Sequence, residues 1–272
     1  PKLSDIYVRL SNDASDLVER HHNDGIFIST DSPECLDEIY WIKSNKEWYS
    51  KDKLSTFNPT EEHLRAYSYL LSSFAKIQSK SRLLIKNNNN HLRLESLSDF
   101  FPKSSFIVVF RDPLIHAKSL LNQHKNFVNL HCKDPFSLEY MNLIGHREFG
   151  LNMAPFVYPN PNKNIHLDLD NATLSYWLAQ WIETYSWILS SGLLNKNNIY
   201  LVCYESLCLD KNIYLNICEK NNINNVNSEF IFRLGKSSIS ETECNSLDSK
   251  LVNQAKKIYD ELKEYQINNN IS

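Results

Sequence analysis

The stretch Phe106-Ile107-Val108-Val109-Phe110-Arg111-Asp112-Pro113, followed by Ser119, decides how the chain folds. Its five consecutive apolar residues, β-branched or aromatic, predict a strand covered on both faces, as in a parallel sheet. Asp112 can cap a following helix and Pro113 suits its first turn, so the spacing predicts a helix from there through Leu121. In layered α/β proteins ligands bind beyond the carboxyl ends of strands, where such helices begin. The amides and dipole of a helix N-terminus attract an anion, and Arg111 adds a permanently charged, forked partner for phosphate. Ser119 lies about two turns past the cap and shares its face. Arg111 and Ser119 can therefore converge on one phosphate. Equally, Arg111 can pair with a neighbouring carboxylate and Ser119 can be plain helix surface.

Periodicity extends this reading in both directions. Thr60 can cap a helix whose apolar positions Leu64, Tyr67, Leu71 and Phe74 follow helical spacing. Leu83-Leu84-Ile85 reads as a short buried strand ending at Lys86, and Leu94, Leu97 and Phe101 form one face of the next helix. Trp177, Leu178, Trp181, Ile182 and Tyr185 trace a long amphipathic helix and read as core. Ile199-Tyr200-Leu201-Val202-Cys203 is a second buried strand, followed by Tyr204-Glu205 and a helix near Ile213 to Cys218. Glu205 reads as ordering the helix after its strand, without a catalytic role. A last helix carries Leu251, Ala255, Ile258 and Leu262. Alternating strands and helices predict a single α/β domain over residues 1–272, with a central, mainly parallel sheet flanked by helices.

Composition excludes several classes. The 272 residues are 42% hydrophobic and 12% aromatic, enough for a full core and unlike a disordered chain. Lys and Arg number 29 against 32 Asp and Glu, a net charge of −3 that removes a general case for nucleic-acid binding. No apolar run approaches the roughly 18 residues that cross a bilayer. Pro1-Lys2-Leu3-Ser4-Asp5 lacks the order of a signal peptide. Six cysteines without a CxxC pair read as reduced thiols in a cytoplasmic protein. His124 and His131-Cys132 match no zinc spacing. The histidines and aromatic residues between Asn122 and Phe156 could contact a substrate, but helix packing is the plainer reading. The asparagine-rich runs at 87–90 and 221–225 read as turns.

Several segments together carry a family resemblance. They are Lys86-Asn87-Asn88-Asn89-Asn90-His91-Leu92-Arg93, Phe101-Pro102, Phe106 to Pro113 with Ser119, and Tyr204-Glu205-Ser206-Leu207. In this order they resemble the sulfotransferases that use 3′-phosphoadenosine 5′-phosphosulfate (PAPS) as sulfuryl donor, over about residues 20 to 265. Asp24-Gly25-Ile26, Ser32-Pro33-Glu34 and the stretch Gly145 to Gly150 are most similar to bacterial members. The resemblance implies a three-layer, P-loop-like α/β fold and a sulfuryl transfer that releases 3′,5′-adenosine bisphosphate (PAP). It further implies a hydroxyl or amine acceptor on a small molecule or glycan, and no metal. Arg111 and Ser119 would hold the 3′-phosphate. Arg233 and Lys236, in Arg233-Leu234-Gly235-Lys236, resemble the family's basic stretch on the donor, although surface lysine is the plainer reading of that segment. Lys86 resembles the lysine near the transferred group. The family's base is a His or a Glu. Where the cytosolic branch has His two positions after the Lys, this chain has Asn88, so His91 is the nearest candidate, and a carboxylate on the missing N-terminal part is equally credible.

One family part is missing from the sequence. No Gly-rich loop for the 5′-phosphosulfate is present, and Gly145-His146-Arg147-Glu148-Phe149-Gly150 is followed by Leu151-Asn152 where a P-loop requires Lys-Ser/Thr. The expectation is that residue 1 falls just after the family's first helix and that the chain is N-terminally truncated. A competing reading is a catalytically inactive PAP- or nucleotide-binding or scaffold protein that keeps the fold. A P-loop kinase is disfavoured by the same missing motif.

Overall fold

The computed structural model describes residues 17–19, 27–29, 37–44, 52–159, 164–224, 232–235 and 237–268. In chain order its strands are β1 (Val18–Glu19), β2 (Phe27–Ile28), β3 (Leu54–Ser55), β4 (Phe106–Phe110), β5 (Phe156–Val157) and β6 (Ile199–Cys203). β1 and β2 pair antiparallel, β3 and β5 pair parallel, and β4 and β6 pair parallel with Phe106 opposite Ile199 and Phe110 opposite Cys203. Helices dominate the rest, so the protein is α/β with a small parallel sheet. Where the sequence predicts a broad central sheet, the described residues hold two-stranded pairs. The chain divides into two compact units, residues 1–97 with 122–157 and residues 98–121 with 158–272.

The second unit contains the two five-residue strands predicted from apolar runs. β4 and β6 have the expected bounds because runs of five apolar residues, all β-branched or aromatic in β4 and three of the five in β6, suit a pleated, half-buried surface. Coverage of β4 differs from expectation. Phe110 is fully buried, but Ile107 and Val109, on the opposite face, are 43% and 47% exposed. Side chains alternate across a strand, so only the Phe106, Val108 and Phe110 face is packed. Thr173 caps the helix Leu174–Ser190, its hydroxyl accepting from the Tyr176 amide. Trp177, Trp181, Ile182 and Tyr185 on that helix are buried, as their spacing predicts. The helix Ser249–Asn268 packs against both it and β6. Beyond β6, the short helix Tyr204–Leu209 leads to Asp210, which caps Lys211–Lys220, and Val202 and Ile213 share a small core with Leu207 and Ile217. The helix that opens at Pro113 continues to Lys133, past Leu121 where the sequence places its end.

In the first unit, Thr60 caps the helix Glu61–Ile77 by accepting from the His63 amide at 3.3 Å. Leu64 and Tyr67 are buried, but Phe74 on the same predicted face is exposed. The predicted strand Leu83-Leu84-Ile85 is absent. This segment is irregular, Leu84 is 96% exposed, and Lys86 ends no strand. Three apolar residues satisfy a strand pattern, but a strand also needs a neighbour for its amides, and none pairs here among the described residues.

A buried polar network organises this unit. The Arg93 guanidinium meets the Glu38 carboxylate in a fork, Nη2 to Oε2 at 2.5 Å and Nη1 to Oε1 at 3.2 Å, and lies over the Trp41 ring at 4.7 Å. Asn87 Nδ2 donates to Asp37 Oδ1 (2.8 Å) and Glu38 Oε2 (2.7 Å), and Tyr67 donates to Asp37 Oδ2 at 2.6 Å. Arg93 Nε donates to Asn90 Oδ1 at 3.0 Å. The asparagines at 87 and 90 thus join a network as well as forming a turn. Arg93→Ala would leave the buried Glu38 charge without its guanidinium. We expect about 3–5 kcal/mol of lost stability in urea unfolding, and a smaller loss of about 1–3 kcal/mol for Asn87→Ala.

Candidate functional site

In the second unit, the backbone at the end of β4 is fixed from several sides before Arg111 projects from it. Tyr185 OH donates to Val109 O at 2.9 Å, and the Asp112 amide donates to Glu205 Oε1 at 3.0 Å. Asp112 Oδ1 accepts from the Ile115 amide at 2.9 Å, the predicted cap of the helix Pro113–Lys133. Glu205 Oε2 also accepts from Tyr259 OH and Cys203 Sγ, each at 3.3 Å. Glu205 therefore orders the turn after β4 as well as its own end of β6, a wider role than the sequence suggests.

Arg111 has no carboxylate partner among the described residues, and its Nε is buried without a hydrogen bond. Its guanidinium lies over the Tyr204 ring, 4.9 Å from the centroid. Gly235 approaches from another side. A Cβ built there would stand 3.3 Å from Arg111 Nη2, so the missing side chain makes room for the guanidinium. Tyr204 OH donates to Arg233 O at 2.5 Å, which holds this segment close to Arg111, while the Arg233 residue itself is exposed. Lys236 lies outside the described residues. Further along, Lys118 pairs with Glu243, whose carboxylate also closes a capping box with Ser240. Those hydrogen bonds, with Lys118 first, hold the Glu243 carboxyl down at about 2.

Ser119 is half-buried and makes no hydrogen bond among the described residues. Between it and Arg111 sits His116, which the sequence reading passed over. Its Nδ1 is buried without a hydrogen bond. Burial, with the Arg111 charge adding to it, holds the imidazole down at about 3. A guanidinium unpaired among the described residues, an unprotonated imidazole and a hydroxyl thus follow one another from a strand end into the first turns of a 21-residue helix. Such a set can bind a phosphate or sulfate and read what is attached to it.

The other predicted residues belong to the first unit. Lys86 is exposed in the irregular stretch before Asn87. His91 sits in the 3₁₀ turn Asn88–Arg93, with Nδ1 donating to Asn88 O at 2.6 Å and its ring edge-on to Phe156 at 4.7 Å. Burial is the main cause that lowers its pKa to about 4, and Arg93 adds to it against the opposing pull of Asn88 and Glu148. His124 and His131 are structural. Their Nδ1 atoms accept from the Gly150 and Leu151 amides, both at 3.2 Å, and fix the turn that follows. Gly145 is the left-handed cap of the helix Pro135–Ile144, and at Gly150 a side chain would collide with the His131 ring. The two-glycine stretch is thus a helix end and a turn. Among the described residues, no group of three or more His, Cys, Asp or Glu side chains is placed to hold a metal, and no helix is long and apolar enough to cross a membrane.

His91, His116 and His131 all have pKa values below their unfolded value near 6.5. Below about pH 6.5 the unfolded chain takes up protons that the folded chain refuses, so their contribution to stability is complete above that pH. It is lost as pH falls toward the folded values and levels off beneath them. We expect the urea midpoint to drop between about pH 7.5 and pH 5, with a shallower drop in His91→Gln and in His116→Gln. No family model matches the chain, and neither does any curated protein or solved structure.

Proposed function

We propose that this protein binds PAPS and transfers its sulfuryl group to a hydroxyl or amine acceptor, releasing PAP. The observation that carries the reading is Arg111. It is a forked cation at the carboxyl end of a parallel strand, free of any carboxylate among the described residues and close to Gly235, with the Ser119 hydroxyl, unbonded among the described residues, two turns into the following helix. A structural arginine would be expected to hold an anionic side chain, whereas one reserved for a ligand is left open. On this reading β4 and β6 belong to the three-layer, P-loop-like sheet of a cytoplasmic, bacterial-type sulfotransferase, and Arg233 and Lys236 lend charge to the donor.

In the reaction the acceptor atom forms a bond to sulfur while the bond from sulfur to the bridging phosphate oxygen breaks. The bond electrons stay on the 5′-phosphate of PAP, and the acceptor proton passes to a base. Positioning and charge stabilisation dominate such transfers.

Calorimetric titration with PAP, and with ADP as the control lacking a 3′-phosphate, tests the donor reading. PAP should bind at least about tenfold more tightly than ADP, and Arg111→Ala should remove that preference. Gly235→Val should weaken PAP binding by displacing the guanidinium. Equal binding of PAP and ADP, or unchanged PAP affinity in Arg111→Ala, overturns the assignment. PAP binding without transfer from PAPS to any acceptor would instead point to the inactive nucleotide-binding protein.

A further inference from the structure

Arg111 Nε and His116 Nδ1 are both buried and, among the described residues, both without a hydrogen bond. An unpaired buried polar atom costs free energy, so two of them within five residues call for a partner that the described residues do not supply. Their placement indicates what it would be. His116 stands one turn past Asp112 and three residues before Ser119, so its side chain neighbours that of Ser119 on the helix surface. On the nucleotide reading, a phosphate bridging Arg111 and Ser119 would lie along the helix turns that carry His116, whose imidazole already feels the Arg111 charge. The part of such a ligand nearest the imidazole would then be a substituent on the carbon beside the phosphate-bearing one. An unprotonated imidazole offers one donor and one acceptor, which suits a hydroxyl better than a second anion. In a ribose 3′-phosphate that neighbouring substituent is the 2′-hydroxyl.

We propose that His116 hydrogen-bonds the hydroxyl vicinal to the phosphate held by Arg111 and Ser119, so that the site selects ribonucleotide 3′-phosphates over their 2′-deoxy counterparts. The proposal rests on the nucleotide reading of the same site and adds a specificity determinant to it. A site built around a ligand hydroxyl rejects the analogue that lacks it, because its own polar group is then left unpaired.

The test is calorimetric titration of the full chain with PAP and with 2′-deoxyadenosine 3′,5′-bisphosphate. The wild type should prefer PAP by at least about tenfold. His116→Ala should bind both ligands with equal affinity, close to that of the wild type for the deoxy compound. His116→Gln, which keeps a donor and an acceptor, should retain part of the preference. Equal affinities in the wild type, or a preference that survives in His116→Ala, overturn the role of His116 while the phosphate site stands. Failure of the wild type to bind either compound overturns the nucleotide reading and this proposal together. Should His116→Ala not fold, histidine nitrogen NMR of the wild type decides: PAP should shift the His116 ring resonances and the deoxy compound should leave them near their free positions. Identical shifts with both would refute the proposal.

Discussion

The Glu205 carboxylate is the joint on which the second unit depends. One oxygen receives the Asp112 amide and the other receives Tyr259 and Cys203, so a single group ties the turn after β4, the end of β6 and the helix Ser249–Asn268. A carboxylate is suited to this because its two oxygens accept several hydrogen bonds at once, and bonds to a charged acceptor are worth more than neutral ones. Tyr185 adds a fourth tie through the Val109 carbonyl. With the backbone held on both sides of Arg111, its guanidinium starts from a fixed root. Preorganisation of this kind lowers what a ligand must spend on ordering the site.

Histidine serves two purposes in this chain, and the difference is one of partners. His124 and His131 each use a ring nitrogen to accept from a backbone amide, which makes them substitutes for a carbonyl at a tight turn. His116 makes no such bond and stands instead beside an unpaired cation. Residue type alone does not separate the two, since all three lie on the helix Pro113–Lys133 within two heptads or so of one another.

The elements that could be read from the sequence are those whose information is local. The strands at 106–110 and 199–203 follow from runs of five apolar residues rich in β-branched and aromatic side chains, and Asp112-Pro113 signals the helix start through its own cap. The placement of Arg111 and Ser119 along one strand–helix junction was legible for the same reason. What escaped was decided at a distance. Leu83-Leu84-Ile85 has the composition of a strand, yet pairing depends on a neighbour that the segment does not encode. Asn87 and Asn90 looked like turn formers because their partners, Asp37, Glu38 and Arg93, lie largely some fifty residues away. A signal was available in Arg93, a charged residue flanked by Leu92 and Leu94, since such a residue inside an apolar run calls for a buried anion. Marking positions 112, 116 and 119 on a helix would likewise have brought His116 into view. Half-exposure of β4 had no local sign, because its five residues are equally apolar on both faces.

The thiol at the end of β6 gives this architecture an internal clock. Cys203 is buried, its amide is held by Gln266 at 2.5 Å, and its sulfur lies within the Glu205–Tyr259 contact, whereas Cys132 is exposed. An alkylating reagent reaches Cys132 on collision but reaches Cys203 only when the strand end opens. The ratio of the two labelling rates therefore measures how often the junction that roots Arg111 comes apart, and it does so without any ligand or assay of turnover.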